Sequence, residues 1–501
     1  MGIWQKRAAV LALAALLAFA AGCAGGSGGE NDANAQPGGQ SDKKAEAKPT
    51  LRVYVPSNVE EFPPGQDANN NEIKTFLEER TGYKLSWEIQ PKENVKEKLN
   101  IMMASGDVPD LIVTADKTIF ANFAQQGLLA PLDQYIEEAG PRIKSTVPEE
   151  TWRPVTFNGK KYAIPVPQNQ EATTGLMVRK DWLDELGIET PKTVDDIYKA
   201  LQALKAAGKP IGMTAAGGDG NAFSNLEAIA GAFGVVVPYV VKDGKVVHTR
   251  TEPEAKEYLA FMNKLYTEGL LDKEFPVNKK ANLTEKLVGG RAAMTTLNWA
   301  DAKGVVESLK EKDPKAELVY IDPPTGPGGH SGVQKHAPVR SYLMVPQASM
   351  HQKEAVDFIN KYMDPEVLTV VSYGWEGKHF KREGDLIVAT PEAEQIRYRI
   401  YYTLWDTVAD FRNRVRLKGF SPYYDPTVSH ARVDNILNYA PPIDAVEKNN
   451  QQLTDLTNEY FVKIITGALP LDAFDQYVQE WYKSGGEETL KAANEWYATL
   501  K

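Results

Sequence analysis

From Leu51 onward, short apolar runs alternate with helical stretches, and that order leaves the chain few ways to fold. LRVYVP (Leu51 to Pro56) alternates apolar and polar residues as a strand does. In NNEIKTFLEERTG, the residues Ile73, Phe76, Leu77 and Arg80 fall at helical spacing, and Gly82 suits a stop. KLSWEIQ reads as a second strand, VKEKLNIMMASG as a helix ending at Gly106, and DVPDLIVTA as a turn into a buried strand. TIFANFAQQGLLAPLDQYIEEAG holds two helices broken at Leu129 to Pro131, and NGKKYAIPV a hairpin-type strand pair. A β-α-β-α-β-α order predicts an α/β lobe.

GLMVRKDWLDELGI opens a second unit, with a strand and then a helix through Trp182 to Leu186. Thr193 is placed as the N-cap of TVDDIYKALQALKAAG. In EPEAKEYLAFMNKLYTEGL one helix face carries Tyr258, Leu259, Met262, Leu265 and Tyr266. RAAMTTLNWA, ELVYIDPP and SYLMVPQAS read as strands. Beyond about His351 the pattern is mostly helical: KEAVDFINKYM, QIRYRIYYTLWDTVADFRNRV, LTDLTNEYFVKIITG, LDAFDQYVQEWYKSGG and ETLKAANEWYATLK. A body running from about Thr50 to Lys501 exceeds one typical core, so two lobes are expected.

The start of the chain follows a different logic. Lys6 and Arg7 precede an apolar run, Ala8 to Ala20, and small residues lead to Cys23, the one cysteine among 501 residues. That order predicts a secretory signal peptide over 1–22. The run is shorter than the roughly 20 residues a membrane span needs. Ala-Ala-Gly-Cys resembles the bacterial lipobox, which implies cleavage before Cys23 and a lipid on its sulfur. An exported chain with one cysteine has no intrachain disulfide, so stability must come from core burial. Residues 23–49 are polar and glycine-rich and predict a flexible tether. The net charge of −10 argues against nucleic acid as a partner.

Several stretches, in order, carry a resemblance: ASGDVPDLI, GLLAPLDQYI, NGKKYAIP, VRKDWLDELGIETPKTVDDI, GGRAAMTTLNW, SYGWEGKHF and FVKIITGALPLDAFDQYVQEW. Together they resemble the extracellular solute-binding proteins of bacterial ABC importers, in particular the oligosaccharide-binding lipoproteins of family 1. The resemblance implies a two-lobe fold of the periplasmic-binding-protein type II kind, with an interlobe ligand cleft and a helical C-terminal region. It implies an oligosaccharide ligand, ABC permease subunits as partners, a membrane anchor through Cys23, and a monomer. Chain crossings are expected near Pro165 to Thr173, Thr296 to Trp299 and Gln347 to Met350. The first lobe would then be 50–164 plus 301–346, and the second 172–297 plus 349–501.

A sugar offers apolar C–H faces and rings of hydroxyls, so its site needs flat aromatics and paired donors and acceptors. Strand ends supply the candidates: Asn298 and Trp299 where RAAMTTLNW runs out, and Ser57 and Asn58 after the first strand. Gln168, Asn169 and Gln170 sit in the first crossing. Trp375 and Glu376 lie in a glycine-bounded loop. Arg340 and Tyr342 begin a strand, and Arg340 suits a carboxylate or sulfate through paired bonds. Each has a structural alternative, from a core tyrosine to a surface ion pair.

No cofactor or metal is expected. KALQALKAAGKPIGMT lacks the carboxylate cluster that many relatives carry as a calcium loop. DANNNEIKTFLE has Glu72 where an EF-hand loop needs Gly, and reads instead as an Asn-capped helix start. G-x-S-x-G matches once, at Gly25 to Gly29 in the glycine-rich tether and not between a strand and a helix, and no H-E-x-x-H or phosphate loop occurs, so an enzyme is not expected. The alternatives are a secreted glycan-processing enzyme, which needs only two carboxylates, and a polymer-binding adhesin.

Overall fold

The computed structural model describes residues 48–58, 60–170, 172–384 and 386–500. The expected signal peptide, Cys23 and all but the last two residues of the expected tether lie outside the described residues. No helix among those described is long and apolar enough to cross a membrane.

Two sheets organise the body. The first has five strands in the order Lys84–Ile89, Thr50–Val55, Leu111–Thr114, Val339–Met344 and Ala163–Pro167. Thr50–Val55 runs parallel to both neighbours, whereas Val339–Met344 runs antiparallel to both of its own. The second has four, in the order Leu318–Ile321, Thr174–Arg179, Ala292–Asn298 and Ile211–Met213. Helices cover each sheet, and each has its own core. One is built around Trp87, Phe120, Ile164 and Leu343. The other is built around Leu176, Leu201, Tyr258 and Phe461.

Local chemistry sets the element ends. Asn71 caps helix Glu72–Thr81, its side chain accepting from the Lys74 N–H at 3.0 Å, and Gly82 closes it at φ 72. Thr193 and Asp196 form a reciprocal capping box on helix Val194–Ala206.

The expected lobe boundaries need two corrections. Residues 301–321 belong with the second sheet. Helix Trp299–Lys312 lays Ala302, Val305 and Leu309 on Leu297 and Leu318. Strand Leu318–Ile321 then pairs antiparallel with Thr174–Arg179. The chain therefore turns back after Asn298 instead of crossing. Residues 352–405 belong with the first sheet, where Phe358, Val367, Tyr402 and Trp405 share a core with Leu51 and Trp87. The chain passes between lobes after Pro167, after Gln334 and after Trp405.

The stretch QIRYRIYYTLWDTVADFRNRV is also not one helix. A 3₁₀ segment, Pro391–Tyr402, stops, and helix Val408–Leu417 starts afresh under a Thr407 cap. The Tyr362 hydroxyl donates to the Tyr402 carbonyl at 2.6 Å and accepts from the Leu404 N–H at 2.9 Å. Those bonds hold the turn open and drive Leu404 and Trp405 into the core.

The second lobe stores an unfavourable carboxyl. Burial pushes the Glu227 carboxyl from 4.5 up to about 7, and its Oε2 has no hydrogen-bond partner. Between those pH values the folded protein holds a proton that the unfolded chain has released, so stability falls as pH rises through this window. Glu227→Gln is expected to raise stability by about 3 kcal/mol at pH 8 and to change little below pH 4. Urea titrations of both proteins at the two pH values check this; equal gains at both would assign the effect to packing.

Candidate functional site

In both sheets, strand ends gather where the chain crosses between lobes. In the first, Pro167 pairs with Val339, so the chain leaves the sheet beside the point where Val339–Met344 enters. Thr114 and Pro165 both pair with Tyr342, which puts the loop after Leu111–Thr114 on that edge too. In the second, Thr174 pairs with Asn298, so Trp299 follows at the crossing end. Ile321 pairs with Leu176 near the same end. Ligands of α/β proteins bind outside such strand ends.

At the crossings a polar cluster ties the lobes together. The Asn169 side-chain N–H donates to Asp406 Oδ2 at 2.7 Å. Arg414 donates to Asp406 through both Nη atoms, the Nη1–Oδ1 bond being 2.8 Å. The Gln168 N–H donates to the Pro338 carbonyl at 2.8 Å, linking the first crossing to the second. Trp299 Nε1 donates to Gln170 Oε1 at 3.2 Å, and its N–H donates to the Thr173 carbonyl at 2.9 Å. On the far side Lys117 donates to the carbonyls of Leu437 and Ala440 at 2.9 and 3.1 Å. Burial pulls its ammonium pKa down.

The residues singled out from sequence divide. Gln168, Asn169, Gln170, Arg340, Asn298 and Trp299 come together at the crossings. Trp299 is only 9% exposed, enclosed by edge contacts with Phe411, Phe420 and Tyr424 at 5.9, 5.4 and 5.3 Å. Asn298 is engaged as a helix cap, accepting from the Ala300 N–H at 2.8 Å. Ser57 and Asn58 follow the first strand. Ser57 donates to the Pro91 carbonyl at 3.4 Å, and the Asn58 carbonyl accepts from the Tyr401 hydroxyl at 2.9 Å.

Two expectations are corrected. Tyr342 is 2% exposed and stacks on Phe120 at 4.8 Å and 8°, which makes it a core residue. Trp375 and Glu376 stand away from the cluster. The Trp375 ring meets the edge of Phe76 at 5.8 Å, and Glu376 is paired with Arg382 at 3.2 Å.

Arg340 differs from its neighbours. It sits where the register shifts between Val339 and Ser341. Its Nε and Nη2 are buried without a hydrogen-bond partner, as is the Asn169 Oδ1. Sequence reasoning missed Asp406, Arg414 and Arg399. The signal was present: Arg412, Arg414, Arg416 and Lys418 crowd the segment after an aromatic run. Among the described residues no group of three or more His, Asp or Glu side chains could hold a metal ion.

Two α/β lobes joined by three crossings at their strand ends define a two-lobed fold. The family model for bacterial extracellular solute-binding proteins matches residues 63–368, more than half the chain, and the protein belongs to that family. It is 23% identical to the lipoprotein LipO of Bacillus subtilis (strain 168), over 92% of this chain and 95% of that protein. It is also 23% identical to the polygalacturonan/rhamnogalacturonan-binding protein YtcQ of the same organism, over 85% of this chain and 88% of that one. In structure it is similar to an HMO-binding, ABC-transporter-associated solute-binding protein from Bifidobacterium longum infantis. That match has a TM-score of 0.72 at 18% identity and covers 90% of this chain and 99% of that one.

Proposed function

We propose that this protein captures an oligosaccharide between its lobes and delivers it to the membrane permease of an ABC importer. The observation that carries the reading is a pair of lobes joined by three crossings at their strand ends, with Asn169, Asp406 and Arg414 bridging there. Relatives named for polygalacturonan/rhamnogalacturonan and for HMO binding support a glycan as the cargo class. A ligand held by both edges has its full set of contacts only when the lobes are closed, so binding favours the closed state. The body would be tethered to the outer membrane face through lipidated Cys23, as the sequence order and the lipoprotein relative suggest. Glycan hydrolysis finds no support in the polar cluster. Its buried carboxylate, Asp406, has both oxygens occupied by Arg414 and Asn169.

Thermal unfolding against a panel of oligosaccharides tests this. A ligand at 100 times its Kd is expected to add about 2.7 kcal/mol and to raise Tm. Small-angle scattering with the same ligand is expected to show a smaller radius of gyration. No shift with any glycan would overturn the cargo class, and a shift without contraction would overturn closure.

A further inference from the structure

We propose that Arg340 anchors a carboxylate of the cargo, and that the cargo is therefore an acidic, uronate-bearing oligosaccharide. The inference rests on the reading of the crevice as a glycan site and adds the chemistry of its ligand.

The argument starts from which atoms lack partners. In a guanidinium, Nε–H and one N–H of Nη2 point the same way from one edge, spaced to meet the two oxygens of a carboxylate. These are the two atoms of Arg340 that are buried with no partner in the protein. The same chain shows what that edge does when a carboxylate is near. Arg179 gives its Nε and Nη2 to the two oxygens of Asp181 at 2.8 and 2.5 Å. Among the described residues Arg340 has no such partner. The carboxylate that acts on it most strongly is Asp406, whose oxygens are already taken by Arg414 and Asn169.

A buried cation without a partner is costly, and chains retain such a group where something else satisfies it. The carboxylate that acts on Arg340 is spent on Arg414 and Asn169, so an incoming anion is favoured over a neutral ring. Asn169 contributes the complementary half. With its N–H committed to Asp406, its Oδ1 needs a donor, and a ring hydroxyl is one. A sugar carrying both a carboxylate and hydroxyls matches the two unmet demands.

The test measures binding to the purified full-length protein by calorimetry, using three classes of probe. These are uronate oligosaccharides, their methyl esters, and neutral oligosaccharides of equal length. Citrate serves as a carboxylate without a sugar. The acid form is expected to bind about 100-fold more tightly than its methyl ester, because a charge pair in an enclosed site is lost. Arg340→Gln is expected to erase that preference, and Arg340→Lys to restore only part of it. The acid–ester comparison needs no variant, so it stands even where a variant folds poorly. Equal binding of acid and ester, or tight binding of neutral sugars alone, would overturn the inference and leave the glycan-binding reading intact. Binding of citrate with no binding of any oligosaccharide would overturn both, as would no binding at all.

Discussion

Replacing Asp406 by alanine is expected to destabilise the folded protein by about 3–5 kcal/mol, the range for removing one partner of a buried ion pair. Asp406 is 5% exposed, and its carboxylate accepts from Arg414 twice and from Asn169 once. Without it, Arg414 stays half-buried beside Arg340 and Arg399, its hydrogen-bonded carboxylate gone and the through-space charge of Asp410 remaining. The loss is electrostatic more than steric, so Asp406→Asn, which keeps the shape and one acceptor, is expected to cost less. Urea titration followed by tryptophan fluorescence measures both. An unchanged midpoint in the alanine variant would mean that the crossings are held by their backbone bonds alone.

A comparable loss is expected for Lys286→Met in the second lobe, again about 3–5 kcal/mol at pH 7. The Lys286 ammonium donates to Asp272 Oδ2 at 2.7 Å and to Asn278 Oδ1 at 2.9 Å, and the Thr214 hydroxyl donates to the same Asp272 oxygen at 2.9 Å. Burial alone would push the Asp272 carboxyl up, but Lys286 and the surrounding donors outweigh it and hold the carboxyl below its ordinary value. A depressed folded pKa stabilises above the unfolded value and loses that contribution as pH falls through the folded one. Removing Lys286 reverses the sign, because the carboxylate then lacks its cation. The deficit of the variant should shrink as pH is lowered toward the carboxyl range. Asp272→Asn on top of Lys286→Met should recover part of the loss at pH 7. A deficit independent of pH, with no recovery, would mean that Lys286 acts through packing.

Much of the first lobe can be read locally. Its strands and caps follow from alternation, from Asn71 and from Gly82, all encoded within a few residues of where they act. The lobe boundaries cannot be read that way. Leu318–Ile321 could serve either sheet on its apolar content, and its partner Thr174–Arg179 is far away in sequence. Helices in 352–373 are amphipathic in a way that suits any core. The proposed cluster was legible where strand ends meet crossings, at Gln168, Asn169 and Arg340. Tyr342 misled because strict alternation groups it with Arg340. The register shift at Val339 to Ser341 breaks that alternation, leaving Tyr342 on Phe120 and Arg340 near Asp406. Asp406 and Arg414 were hidden inside an apparently continuous helix. The break is written in Thr407, whose hydroxyl accepts from the Asp410 N–H at 3.0 Å.

The order of strands in the first sheet also dictates a timetable. Val339–Met344 lies between Leu111–Thr114 and Ala163–Pro167, so it fills the middle of that sheet from a distant part of the chain. A ribosome or a secretion channel delivers the two flanking strands first, and their inner edges stay unpaired until Met344 has emerged. Unpaired edges invite association between chains. Pairing across such sequence distances is also slow, because the closure entropy is spent before the contacts form. No single cut then frees an intact lobe, and a chain stopped before Val339 leaves a gap at the centre of a sheet. The protein is thus obliged to mature late and as a whole.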